Sequence, residues 1–425
     1  MGTAPEQLSR AVIPPEVLEV LETLERAGFK AYLVGGSIRD LLRGAPAKDY
    51  DVATSARAER VAQLFRRVVP TGIKHGTVTV LARQRGVEVT TFRGEGAYAD
   101  GRRPDSVTFL KDIVEDLARR DFTINAMAFN PARLEFVDPF GGQRDLQAGL
   151  LRCVGDPRRR FSEDGLRCLR AVRFASVLNL SIERDTLTAI PLEIDTFSKV
   201  AVERVREELC KLLVGAHPGL GVRLLGSTGL LSRILPELVE AASSKETEGR
   251  LEARLEALTP ELELRLAGLL WELAPSLALP VAERLRFPRK TQEFLTSLWR
   301  HQGFAASHVP DEASLRRAIA ACGRTAVGPL LDLAAAQAKA EGGGDRLERI
   351  EALRSRVRAA LASNPPLSVG ELALDGQQIM DALGEKPGPR VGQAARFLLD
   401  RVIDDPSLNS PEAMNALLRG WRARG

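Results

Sequence analysis

Phe29-Lys30-Ala31-Tyr32-Leu33-Val34-Gly35-Gly36-Ser37-Ile38-Arg39-Asp40, followed by Asp49-Tyr50-Asp51, is the stretch whose reading decides the fold of this chain. The apolar run Phe29–Val34 reads as a strand, Gly35–Gly36 as a tight turn and Ser37–Leu42 as the helix that leaves it. Asp49–Thr54 begins a second strand. Thr77–Ala82 and Val87–Phe92 alternate apolar and polar residues on either side of Arg83–Gly86, which predicts a hairpin. A strand–glycine–helix turn presents backbone amides and a helix N-terminus to an anion, and glycine allows phosphate oxygens a close approach. Ser37 offers a hydroxyl and Arg39 a guanidinium to the same ligand. No GxxxxGK[ST] loop occurs here, which disfavours a P-loop kinase or ATPase. Taken alone, a Gly-Gly turn is a compact connection and nothing more.

Asp49 and Asp51 add chemistry to it. Residues i and i+2 of a strand point to one face, so both carboxylates can meet one or two hard cations. Two such ions activate an attacking hydroxyl and neutralise a departing pyrophosphate. A third carboxylate on a neighbouring strand would complete the set, and Glu88 within Val87-Glu88-Val89 is the candidate. The plainer reading of each is a solvated charge on a strand.

Beyond about Leu150 the strand signals nearly vanish. Leu, Ala, Arg and Glu recur at helical spacing, as in Leu166–Phe174 and Val200–Leu213. Breaks fall at Ala216–Gly221, Ala241–Gly249, Glu341–Gly344, Asn364–Leu367 and Glu385–Gly392. The expected architecture is α+β, a mixed-sheet head followed by a long helical remainder. The 425 residues are too many for one ordinary core, and 44% hydrophobic with 27% charged residues excludes wholesale disorder. Sixty Lys and Arg against 56 Asp and Glu leave a net charge of +4, too small to identify a partner. Aromatic residues at 5% argue against gripping single strands mainly by base stacking. Cys153, Cys168, Cys210 and Cys322 form no CxxC pair, and no HExxH occurs, so neither a zinc site nor a disulfide framework is indicated. No run approaches the ~20 apolar residues of a membrane helix, and the N-terminus lacks an apolar signal core. A reducing cytoplasm without membrane contact is the expectation.

The glycine turn and the acidic pair resemble those of the class II nucleotidyltransferases, the bacterial CCA-adding tRNA nucleotidyltransferases and their relatives the poly(A) polymerases. The likeness continues in order through Arg119-Arg120-Asp121-Phe122-Thr123-Ile124-Asn125-Ala126, Asp138-Pro139-Phe140-Gly141-Gly142, Arg160-Phe161-Ser162-Glu163-Asp164-Gly165-Leu166-Arg167, Arg170-Ala171-Val172-Arg173-Phe174 and Glu203-Arg204-Val205-Arg206-Glu207-Glu208. It spans roughly residues 30–215. Gly370-Glu371-Leu372 and Gly384–Gly392 are similar to family tail segments. The resemblance implies a polymerase-β-like head with a five-stranded sheet over residues 1–148, a helical neck at 149–215, a body at 216–340 and a tail at 341–425 that holds tRNA. It assigns Asp49 and Asp51 to two Mg²⁺ ions, Gly35, Gly36, Ser37 and Arg39 to the triphosphate, and Arg120, Asp121 and Asn125 to ribose and phosphate. Asp121 also reads as the N-cap of a helix over the following residues.

Glu163-Asp164-x-x-Arg167 reads as one helix carrying Asp164 and Arg167 on a shared face, where an ion pair is the ordinary outcome. The alternative is base recognition. Cytosine and adenine each present an amino donor beside a ring-nitrogen acceptor; a carboxylate accepts from the first while a guanidinium donates to the second. Guanine and uracil reverse that polarity and leave partners unpaired, at about 1–3 kcal/mol for each group. The resemblance assigns this pair as the protein template that selects CTP and ATP. Arg158–Arg160, Arg170 and Arg173 face substrate phosphate or brace the neck.

Family members add CCA, only CC, only A, or poly(A) tails. Members restricted to CC have a shortened loop before the Arg119–Ala126 segment. Here Arg93–Pro104 is full length, with Gly94, Gly96 and Gly101 to make it mobile. Thr71–Val78 resembles tRNA nucleotidyltransferases more than poly(A) polymerases, and His75 within it reads as a strand-turn residue. The expected activity is CCA addition to the tRNA 3′ end with release of pyrophosphate. An A-adding enzyme, a poly(A) polymerase and a catalytically silent RNA-binding protein are the alternatives.

Overall fold

The computed structural model describes residues 2–73, 76–83, 85–95, 107–110, 112–241, 244–306 and 309–422. Among the described residues of the head there are ten strands: β1 (Gly2–Thr3), β2 (Ala31–Val34), β3 (Asp51–Thr54), β4 (Val68–Gly72), β5 (Thr77–Ala82), β6 (Arg85–Thr91), β7 (Arg93–Glu95), β8 (Val107–Phe109), β9 (Ala128–Asn130) and β10 (Glu135–Val137). Eight of them build one mixed sheet in the order β1-β10-β9-β2-β3-β6-β5-β4, and β7 pairs with β8 in a separate ribbon. The sheet is therefore wider than the five strands expected. Only β3 and β6 run parallel within it, and their register sets Asp51 beside Glu88.

Alternation along these strands divides the sheet into two faces. Leu33, Val52, Val78, Val80, Val87 and Val89 join Val17, Val20, Leu21 and Leu24 of the helix Pro15–Arg26 in one core. Tyr32, Val34, Ala53 and Phe92 pack on the other face with Ile113 and Leu117 of the helix Ile113–Ala118. On that second face lie Asp51 and Glu88, beyond the apolar packing.

The strand carrying the acidic pair begins at Asp51, not at Asp49, and the hairpin strand is Arg85–Thr91. Thr77–Ala82 forms over the expected residues. After the head, the described strands are only Leu150–Leu151 and Ser181–Ile182, paired with each other. The rest is helical.

Two compact units divide the chain, Met1–Pro236 and Glu237–Gly425. In the first, the buried helix Leu166–Leu178 packs against the helices Val202–Leu213 and Pro218–Ser227. In the second, the helix Lys245–Ala257 packs on Arg324–Ala340, and Arg254, fully buried, donates to the Gly268 carbonyl (2.9 Å), Glu272 (2.6 Å) and Gln337. The helices Gly376–Leu383, Pro389–Asp404 and Pro411–Arg422 bury Ile379, Leu383, Leu398, Met414 and Leu418 among themselves. Among the described residues, no single helix is long and apolar enough to cross a membrane.

Candidate active site

A cavity of about 430 Å³ opens in the first unit, lined by residues drawn from both its sheet and its helices. Gly35 and Gly36 floor it at the end of β2. Gly35 has φ +75° and ψ −134°, a conformation that an L side chain rarely adopts. A Cβ placed there would lie 2.9 Å from Nη1 of Arg120, so the guanidinium rests directly on the glycine. Arg39, on the helix Gly36–Leu42, lines the cavity and donates from Nη1 to Asn125 Oδ1 (2.9 Å) and from Nε to Asp40 (2.9 Å). Ser37 is buried instead, and its hydroxyl donates to the Val34 carbonyl (3.1 Å) rather than into the cavity.

Asp51 and Glu88 enter from adjacent strands. Burial pushes the Asp51 carboxyl up, and Asp49 adds to that effect while Arg120 opposes it. Burial also raises Glu88, reinforced by Asp51 and opposed by Arg93. Asp49 precedes the strand, is exposed and does not line the cavity, yet it is close enough to act on Asp51 through its charge. Carboxylates crowded in this way suit a hard cation, whose charge offsets the crowding. Among the described residues no three His, Cys, Asp or Glu side chains converge as a preformed metal cage.

Asp121 precedes a single helical turn, Thr123–Asn125, and does not cap a longer helix. One carboxylate oxygen accepts from the Phe122 amide (2.8 Å) and Asn125 (3.2 Å); the other accepts from Nε and Nη2 of Arg170 (2.9 and 2.5 Å). Burial raises its pKa, but Arg170 and these hydrogen bonds prevail and bring it down to about 2. Arg170 also faces Glu208, which accepts from Arg173 (2.8 Å) and Lys211 (3.0 Å). Arg173 does not line the cavity; it lies over the Phe174 ring and pairs with Glu208, a bracing position.

The expected helix carrying Asp164 and Arg167 is broken. One helix ends at Glu163 and the next starts at Leu166, with Asp164 extended at φ −149° and ψ 105°. A Cβ on Gly165 would approach the backbone of Thr196 and Phe197 to 2.6 Å, so the chain turns here against its neighbour. The Asp164 side chain accepts from the Leu166 amide (3.1 Å), closing the turn. Both residues still line the cavity, but they do not pair with each other. Asp164 is held by Arg204 at 3.2 and 2.7 Å; Arg167 donates to Glu163 (2.6 Å) and to the carbonyls of Arg160 (2.9 Å) and Arg119 (3.2 Å). Arg158 reaches Glu193, and Arg159 and Arg160 reach Glu163.

The sequence of a CCA-adding enzyme from Lactiplantibacillus plantarum is 37% identical over 405 residues, covering 93% of this chain and 93% of that protein. The chain belongs to the CCA-adding enzyme family. It is a tRNA nucleotidyltransferase, and its activity is CCA addition. The crystal structure of the Bacillus stearothermophilus CCA-adding enzyme in complex with CTP superposes with a TM-score of 0.79 at 31% identity, covering 97% of this chain and 99% of that one. The Thermotoga maritima CCA-adding enzyme complexed with tRNA shares the fold at a TM-score of 0.67 and 18% identity, over 98% of each chain. The Poly A polymerase head domain family matches residues 31–152, and the family described as the probable RNA and SrmB-binding site of polymerase A matches 179–241. CCA-adding enzymes, as nucleotidyltransferases, are generally dependent on divalent metals.

Within this family member, motif reading overlooked several cavity residues: Thr90, Arg93, Arg119, Phe174 and Arg204. Arg119, Phe174 and Arg204 stood inside quoted motifs, but nothing in their spacing revealed which arginines face the cavity. Asp116 was also missed. Though burial raises it, Arg119 and Arg120 hold its carboxyl low, and it accepts from the Arg93 amide (3.2 Å), tying β7 to both arginines. His75 and the Gly96–Pro104 part of the loop that separates CC-adding from CCA-adding members lie outside the described residues.

Proposed function

We propose that this chain rebuilds the tRNA 3′ end by adding C and A from CTP and ATP, one nucleotide at a time and without a nucleic-acid template, releasing pyrophosphate. The observation that carries this reading is a single cavity lined together by Asp51 and Glu88, by Arg39 and Arg120 at the glycine turn, and by Asp164 and Arg167. That shared lining supports reading these residues as a carboxylate wall, an anion-binding turn and a base-reading pair around one nucleoside triphosphate. The CTP complex of the Bacillus stearothermophilus relative and the tRNA complex of the Thermotoga maritima relative support the substrates.

Asp49 and Asp51 are the residues that would hold Mg²⁺, with Glu88 as the third carboxylate. An ion held there would supply positive charge to acidify the attacking 3′ hydroxyl and to stabilise the leaving pyrophosphate. Gly35 and Gly36 admit the triphosphate close to the backbone, while Arg39 and Arg120 meet its charge. Asn125 and Asp121 fix Arg39 and Arg170 by the hydrogen bonds already described. Asp164 accepts from the amino group of cytosine or adenine, and Arg167 donates to the adjacent ring nitrogen. Arg173 acts through Glu208 as a brace. Residues 1–148 serve as the catalytic head, 149–215 as the base-selecting neck, and 216–340 and 341–425 as a body and tail that hold tRNA in the cytoplasm.

The deciding experiment uses tRNA transcripts ending before CCA and after CC, each given Mg²⁺ and CTP or ATP alone. A CCA-adding enzyme extends the first with CTP and the second with ATP. Extension of the second alone identifies A addition, long ATP-dependent tails identify poly(A) synthesis, and no extension of either overturns the reading.

A further inference from the structure

Arg204 stands on the helix Val202–Leu213, forty residues from Asp164, and its guanidinium lines the same cavity. It grips both oxygens of the Asp164 carboxylate, Nη1 on Oδ1 at 3.2 Å and Nη2 on Oδ2 at 2.7 Å. Oδ1 additionally accepts from the Leu166 amide at 3.1 Å. A carboxylate has about four acceptor positions, two on each oxygen. These contacts fill both positions on Oδ1 and one on Oδ2, leaving a single position on Oδ2.

We propose that Arg204 is a specificity-determining positioning residue, which fixes the orientation of Asp164 and leaves it one acceptor position for the amino group of cytosine or adenine. The inference rests on the base-reading role proposed for Asp164 and Arg167 and deepens it. A carboxylate joined to its chain only through the Leu166 amide would rotate about the Cβ–Cγ bond, a broad torsion with little intrinsic preference. Its two oxygens would then sample several directions, and water would bridge between the carboxylate and a mismatched base. The planar fork of Arg204 removes that freedom, because two parallel N–H donors set the plane of the carboxylate as well as its distance. Lysine has the charge but not the fork. Specificity for C and A thus depends on a side chain that supplies no hydrogen bond to the base itself.

The test measures kcat and KM for CTP and UTP on a transcript ending before CCA, using the full chain, Arg204→Gln, Arg204→Lys and Asp164→Ala. Arg204→Gln is expected to lower the CTP-over-UTP ratio of kcat/KM about tenfold, with Arg204→Lys recovering only part of it. Thermal melting separates this effect from a general loss of structure, since a merely structural arginine would lower activity toward both nucleotides together. If Arg204→Gln keeps the ratio while Asp164→Ala lowers it, the role of Arg204 is overturned and base reading by Asp164 stands. If Asp164→Ala also keeps the ratio, the base-reading assignment itself fails. Full recovery by Arg204→Lys would refute the requirement for the fork.

Discussion

Asp51 is raised by its surroundings whereas Asp121 is lowered, and the two carboxylates respond to pH in opposite ways. The folded chain retains a proton on Asp51 that the unfolded chain releases, so this group's contribution to stability falls as pH rises from the ordinary carboxylate range through its raised value. A cation bound beside it offsets the cost. Added Mg²⁺ should therefore raise the melting temperature of the native chain at neutral pH but not that of Asp51→Asn. The same substitution should lower kcat by about two to three orders of magnitude while tRNA binding, measured by filter retention, persists. For Asp121 the unfolded chain binds the proton more readily. Its stabilisation is present above the ordinary carboxylate range and is lost as pH falls toward about 2. That contribution is on the order of 2 kcal/mol. Acid titrations followed by circular dichroism should show a shallower loss between about pH 4 and pH 2 in Asp121→Asn than in the native chain.

The break between Glu163 and Leu166 shows how far periodicity carries and where it stops. Helical spacing correctly indicated the helix that follows Asp164, and alternation placed β5. Those signals are local, each written in the residues of its own segment. The break arises from a contact about thirty residues away along the chain, where Gly165 meets the backbone at Thr196 and Phe197. Asp164 finds Arg204 by the same tertiary route, which no spacing rule contains. The bracing of Arg173 and the inward turn of the Ser37 hydroxyl were hidden for that reason too. Gly165→Ala tests the contact. Overpacking of this kind costs about 1–3 kcal/mol, and the variant should melt earlier and discriminate CTP from UTP less well.

The two compact units differ in what they conserve of the chemistry discussed here. Every cavity residue named above belongs to Met1–Pro236, and the matched family segments end close to that boundary, at residue 241. The second unit is held by helix packing and by Arg254, whose guanidinium is fully buried against Gly268, Glu272 and Gln337. Arg254→Leu should destabilise the chain by about 3 kcal/mol in denaturant titrations, because its polar partners lose their donor. The CTP-over-UTP ratio of the folded enzyme should remain unchanged. The overall division into a sheet-bearing head and a helical remainder was legible from composition, since strand-forming runs stop near Leu150. The arrangement of arginines was not: near neighbours in sequence hold Arg119, Arg120, Arg160 and Arg167, while Arg170 and Arg173 are placed by carboxylates from other segments. Asp116 holds Arg119 and Arg120, Asp121 holds Arg170, Glu163 holds Arg160 and Arg167, and Glu208 holds Arg170 and Arg173. A genetic screen for loss of function should then recover these acidic residues as readily as the arginines themselves. A single allele at Asp116, Glu163 or Glu208 dislodges more than one cation, and the damage then appears in the gene at residues that do not line the cavity.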